Sequence, residues 1–138
     1  MKKFCCCVAA MLMQYAGAMA ATAPSLPKGD AARGEQVYAR CMACHSVTEN
    51  RIGPRHCGVF GRRAGSVPGF DYSPAMKRAN IVWNEQTLNA FLAAPMNYLP
   101  GTAMVFAGVP DAQERADVIA WLKSKDVAAA ACSPQKNR

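Results

Sequence analysis

The sequence predicts an all-α protein, one domain of about four short helices and long loops wrapped around a single central body. Three observations carry that expectation. The chain has 138 residues, 51% hydrophobic and 18% charged, which is one domain's worth and excludes a disordered tail, a collagen-like repeat or a multidomain assembly. Apolar residues recur at helical spacing behind several separate capping residues. Between them lie stretches so rich in glycine and proline that no helix or central strand survives, and no convincing strand pair is present.

Residues 1–20 come first. Lys2 and Lys3, an apolar run from Phe4 to about Met13, and Ala18-Met19-Ala20 form the three parts of a secretory signal. The run is too short to span a bilayer comfortably. Cleavage after Ala20 is expected, leaving residues 21–138 as an exported, periplasmic protein; the alternative is an uncleaved N-terminal anchor. Cys5, Cys6 and Cys7 precede the apolar segment, so they make a poor lipid-attachment site. Loss of Lys2 and Lys3 lowers the net charge from +7 to +5, and four of the seven cysteines remain: Cys41, Cys44, Cys57 and Cys132. Export puts them in an oxidising compartment.

Residues 21–29 are a lead-in of proline and small side chains. Asp30 is a good N-cap, and Gly34, Val37, Tyr38 and Cys41 follow at helical spacing on one face. Residues 53–69 hold five glycines and two prolines, with Arg55, Arg62 and Arg63 among them; they form an extended loop. Ser73-Pro74 reads as N-cap and first helical residue of a short helix to about Ala79. Asn84 caps another, with Leu88, Phe91 and Leu92 inward and Pro95 as its stop. A second loop carries Pro100-Gly101 and Gly108-Val109-Pro110. Asp111 and Glu114 then open the last helix in capping-box fashion, with Val118, Trp121 and Leu122 as its apolar stripe, fading near Lys125.

Helices this short are individually marginal, and loops this long carry many backbone groups that need partners. A large rigid body at the centre would meet both needs. Cys41-Met42-Ala43-Cys44-His45 is C-x-x-C-H, the attachment signature of haem c. Two thiols three positions apart can reach two vinyl groups on one edge of a porphyrin, and the adjacent histidine meets the iron. A zinc site would need a second close pair, which Cys57 and Cys132 do not make, and a thioredoxin-like C-x-x-C would follow a strand rather than a helix. Candidates for the second axial ligand are Met42, Met76, Met96, Met104 and His56. Met42 lies inside the motif. Met104 follows the stiff turn Pro100-Gly101-Thr102, which favours it over Met96; any lone methionine can also be core filling.

Taken together, Gly29-Asp-Ala-Ala-Arg-Gly-Glu35, the C-x-x-C-H, Gly53-Pro54, residues 58–65 and 68–70, Ile81-Val-Trp83, residues 98–108 and 114–117 resemble a class I c-type cytochrome. The likeness is to mitochondrial cytochrome c and its soluble bacterial relatives, over about residues 29–125, with 126–138 as a C-terminal extension. It implies a single cytochrome c domain with Cys41 and Cys44 as thioether anchors and His45 and Met104 as iron ligands. It further implies that the Pro54 carbonyl accepts from the His45 ring, which would fix its tautomer. Arg62, Tyr72, Trp83 and Thr102 match positions around the haem propionates. Gly34 and Tyr38 match the crossing of the first helix with the last, at Val118 and Trp121.

The chain departs from that pattern in places. Phe91 replaces a tyrosine common near the methionine sulfur, and Met76 an asparagine. Met96, Asn97 and Ala103 replace lysines of the docking face, where Arg40, Arg55, Arg62 and Arg63 remain. Cys57 stands where a histidine is common, after the unusual His56, and is expected to pair with Cys132. Histidine and methionine on one iron leave no position for a substrate. The resemblance therefore implies a soluble, monomeric one-electron carrier, not an enzyme. It would meet acidic faces of redox proteins (a quinol–cytochrome c reductase, a dehydrogenase, a terminal oxidase), with no nucleic acid and no small-molecule substrate. The rival reading is a haem peroxidase or gas sensor with a labile Met104.

Overall fold

The computed structural model describes residues 26–127. The expected signal at 1–20 and Cys132 lie outside the described residues, as does nearly all of the C-terminal extension. Among the described residues five helices run in the order α1 Ala31–Tyr38, α2 Pro74–Arg78, α3 Glu85–Ala93, α4 Pro95–Tyr98 and α5 Ala112–Val127. Among the described residues there is no strand, only a single antiparallel bridge between Arg63 and Val82, and no helix is long and apolar enough to cross a membrane.

Local chemistry explains the helix starts. The Asp30 carboxylate accepts from the amides of Ala32 and Arg33, satisfying two of the donors a helix start leaves open. Ser73 caps α2 through the Met76 amide, with Pro74 at the first helical position. Asn84 and Thr87 cap α3 reciprocally. Pro95 ends α3 as expected. It also opens α4, a single turn that the sequence reading placed in a loop, because proline suits the first position of a helix as well as it ends another. The face of α1 stops at Tyr38, and Cys41 falls in the turns beyond it.

The molecule is organised by α1 crossing α5. A Cβ on Gly34 would lie 2.0 Å from the Asp117 carbonyl oxygen and 2.8 Å from the Trp121 Cβ, and one on Gly29 would lie 2.1 Å from the Ala116 carbonyl. The two segments therefore touch backbone to backbone, which only glycine permits. Tyr38 stacks on Trp121 with ring centroids 4.0 Å apart. Val37, Val118, Ile119 and Leu122 complete this part of the core, each buried side chain contributing about 1.5–3 kcal/mol. Trp121 leaves its indole N–H without a hydrogen-bond partner among the described residues, a cost of about 1–3 kcal/mol that burial of the ring offsets.

Asp117 is the polar anchor of the crossing. Its carboxylate, 4% exposed, accepts from the Asp30 amide at 2.7 Å, Arg33 Nε at 2.8 Å, Arg33 Nη2 at 3.1 Å and Gln113 Nε2 at 2.9 Å. Chiefly through the hydrogen bond from Arg33, its pKa is driven down to about 2. At the far end of α5 the Asp126 carboxylate accepts from the amides of Gly58, Val59 and Phe60 at 2.7, 3.2 and 2.8 Å. That contact pins the start of the 58–65 loop to the helix. The loop is held on its other side by the Gly61 amide on the Trp83 carbonyl and the Trp83 amide on the Arg62 carbonyl. At Gly65, with φ +72, a Cβ would meet the Met76 carbonyl at 2.7 Å.

Candidate cofactor site

Beyond α1 the chain continues in tight turns. The Cys41 amide donates to the Tyr38 carbonyl, and those of Cys44 and His45 both donate to the Cys41 carbonyl, at 3.1 and 2.9 Å. Two thiols one turn apart and the following imidazole are thereby presented to one cavity of about 490 Å³. Cys41 and Cys44 are both free thiols; burial pushes the Cys41 thiol up from its ordinary value.

His45 is 8% exposed. Its Nδ1 lies 2.8 Å from the Pro54 carbonyl, and a carbonyl only accepts, so Nδ1 carries the proton and Nε2 keeps its lone pair. Desolvation lowers the basicity of the ring, against the opposing pull of that hydrogen bond. The imidazole is therefore neutral, the form in which it ligates metal. Gly53 presses on the same ring: a Cβ there would lie 2.2 Å from His45 Cε1. No side chain but hydrogen fits.

Met76, Leu88, Phe91 and Leu122 give the cavity apolar walls. The 102–106 segment adds Thr102, Met104 and Phe106, partly buried, alternating with exposed Ala103 and Val105. Thr102 Oγ1 accepts from the Met104 amide at 3.3 Å, which stiffens the segment beside the sulfur. Arg62, Tyr72 and Trp83 line the cavity as well. The Arg62 guanidinium donates to two neutral carbonyls, those of Cys57 at 2.6 Å and Arg55 at 3.2 Å, and makes no ion pair among the described residues. Burial lowers its basicity. A half-buried cation that makes no direct ion pair among the described residues, facing an apolar cavity, is a place for anionic groups. Thiols, a lone-pair nitrogen, apolar walls and an inward cation together fit a haem with its propionates. The volume is in the range of cofactor cavities.

The geometry sorts the second-ligand candidates. His56 stacks on His45, centroids 4.1 Å apart and planes 23° apart, so it stands on the same side and does not face His45 across a macrocycle. Met42 and Met96 are 52% and 48% exposed. Met76 and Met104 line the cavity. The expected basic docking set is smaller than the sequence suggests. Arg40 pairs with Glu114 at 2.7 Å, and Arg62 turns inward because its hydrogen-bond acceptors lie in the loop interior. Exposed Ile52 and Val105, at 79% and 85%, stand at the cavity instead.

Sequence reasoning considered His56 only as a ligand and missed its hydrogen bond with Tyr38, 3.1 Å from hydroxyl to Nδ1. It also missed Asp126 as the tie between α5 and the loop. Neither has a short-range signal. Cys57, 4% exposed, is not one of the free thiols, while its expected partner Cys132 is outside the described residues.

Residues 31–126 match the family model for Cytochrome c. The chain is 48% identical over 101 residues to cytochrome c 2.1 of Caenorhabditis elegans, covering 71% of this chain and 91% of that one. It is 43% identical over 107 residues to cytochrome c2 of Blastochloris viridis, 75% of this chain and 84% of the relative. Among solved structures, cytochrome cH from Methylobacterium extorquens superposes with a TM-score of 0.69 at 43% identity, over 70% of this chain and 100% of that one.

Proposed function

Because this chain belongs to the cytochrome c family, whose members carry a covalently attached haem c, we propose that it is a soluble one-electron carrier with Cys41 and Cys44 as thioether anchors and His45 and Met104 as iron ligands. The bound haem supplies an iron that takes up and releases a single electron. The observation that carries this reading is His45: its Nδ1 is committed to the Pro54 carbonyl while both free thiols share its cavity.

The protein's own residues hold, shield and neutralise. Pro54 and Gly53 keep the imidazole in one tautomer and position. Thr102 steadies the segment that offers the Met104 sulfur. Met76, Leu88 and Phe91 exclude water, which favours the less charged reduced state. Arg62, with Tyr72 and Trp83, lines the cavity and would hold the propionates and offset their charge. No side chain has to act as acid, base or nucleophile. Electron exchange takes place by contact at the cavity mouth, where Ile52 and Val105 meet the partner's apolar surface, while the net positive charge of the chain steers it towards acidic groups. Partners of this kind are a quinol–cytochrome c reductase or dehydrogenase on one side and a terminal oxidase on the other, met in the periplasm after cleavage of residues 1–20. A Cys57–Cys132 disulfide would tie the C-terminal extension to the 58–65 loop.

The test uses Met104→Ala and Met76→Leu in the haem-loaded protein. Met104→Ala should abolish the weak long-wavelength methionine-to-iron band of the ferric protein and open the ferrous protein to carbon monoxide; Met76→Leu should do neither. If Met104→Ala leaves the ferric optical and magnetic signatures unchanged, another atom completes the coordination sphere. Ready carbon monoxide binding by the unaltered protein would favour the peroxidase or sensor reading, in which Phe91 leaves the sulfur without a hydroxyl.

A further inference from the structure

We propose that His56 is a positioning residue that sets the plane of the His45 ring, and that Tyr38 holds His56 in place. The inference rests on His45 being the iron ligand.

A single hydrogen bond from Nδ1 to the Pro54 carbonyl fixes one atom of an imidazole and leaves the ring able to tilt about that contact. Two neighbours restrict the tilt. The Gly53 backbone comes so close that even a methyl group would overlap Cε1, Nδ1 and Nε2. The His56 ring lies against His45 at 4.1 Å with planes only 23° apart. A flat ring stacked on a flat ring defines an orientation; a branched aliphatic chain of similar size would fill the space without doing so.

His56 sits on a glycine-rich loop, and a positioning group on a loop must itself be held. Its amide donates to the Ser46 carbonyl at 3.0 Å, and the next amide, of Cys57, donates to the Val47 carbonyl at 2.8 Å. These bonds pin the backbone beside the residues that follow His45. The side chain is held by the Tyr38 hydroxyl at 3.1 Å from Nδ1. Tyr38 is 3% exposed and is fixed by its stack on Trp121, 4.0 Å and 30°. Four rings, Trp121, Tyr38, His56 and His45, therefore run without a gap from the α1–α5 crossing to the site. An imidazole and a phenol hydroxyl in a largely apolar region each carry a desolvation cost, and their mutual hydrogen bond is what makes the pair tolerable.

The orientation of an axial imidazole decides which iron d orbital it overlaps, so it is read directly in the hyperfine-shifted haem-methyl resonances and the g-anisotropy of the ferric protein. The experiment compares His56→Leu, His56→Phe and Tyr38→Phe as full-length, haem-loaded proteins, with the methionine-to-iron band as a control for ligation and thermal melting as a control for packing. His56→Leu should change the spread or order of the four methyl shifts. Tyr38→Phe should move the same resonances in the same direction by less, and His56→Phe, which keeps a flat ring, should stay nearer the unaltered protein than His56→Leu. Methyl patterns and g-values unchanged in both His56→Leu and Tyr38→Phe, whatever happens to melting, would overturn the proposal while leaving the ligation intact. An unaltered protein lacking the histidine–methionine signature would overturn the ligation itself.

Discussion

Asp117→Asn is the substitution whose consequences the structure specifies most fully. Asp117 accepts four hydrogen bonds that join the lead-in, α1 and its own helix. Its pKa falls from 3.8 to about 2, with the Arg33 hydrogen bond as the largest cause. Each unit corresponds to about 1.36 kcal/mol, so the charged form is favoured by roughly 2.4 kcal/mol in the fold. Arg33 is 56% exposed, and solvent screening reduces this to about 1–1.5 kcal/mol. The asparagine amide also turns a donor towards Arg33 or Gln113, which adds about 0.5–1 kcal/mol. The expected loss at pH 7 is therefore about 2 kcal/mol, or roughly 8 °C in Tm.

The pH dependence of that loss has a definite sign. A carboxylate whose folded pKa is depressed stabilises fully above its unfolded pKa and ceases to do so as pH falls through the folded one. The window runs from about 4 down to about 2. Urea unfolding followed by far-ultraviolet circular dichroism at pH 7, 5, 4 and 3 should show a constant gap between the two proteins at pH 7 and 5. By pH 3 roughly half of the charge-dependent part should be gone. A gap at pH 3 as wide as that at pH 7 would refute the assignment of the stabilisation to the Asp117 charge.

Gly34→Ala places a methyl group 2.0 Å from the Asp117 carbonyl oxygen, so the helices must part; about 3 kcal/mol of stability should be lost in urea titrations, and a loss below about 1 would mean the crossing is looser than described. Asp126→Ala leaves three loop amides without their acceptor and should cost about 2 kcal/mol, with faster hydrogen exchange at Gly58 and Phe60; unchanged exchange there would contradict the tie. In Gly53→Ala the new methyl overlaps the His45 ring, so the low-spin fraction of the ferric protein should fall, and a spectrum like that of the unaltered protein would show that the ring is not confined from that side. Thiol labelling of the denatured, haem-loaded protein without reductant should find neither Cys57 nor Cys132 reactive; two labelled thiols would reject the proposed bridge.

What the sequence determined by itself is local. Asp30, Ser73-Pro74 and Asn84 each satisfy donors within three residues of themselves, so the starts of α1, α2 and α3 follow from adjacent letters. The C-x-x-C-H motif defines its own geometry within one turn, and glycine at 58, 61, 65 and 69 makes the central segment a loop whatever surrounds it. The tertiary structure decided what depends on partners distant along the chain. It brings Asp126 to the amides of Gly58, Val59 and Phe60, sends Arg62 inward rather than to the surface, and sets His56 beside His45 instead of across from it. These contacts leave no periodicity or spacing, because their free energy arises only once α5 has docked on α1 and the loops have closed around the cavity.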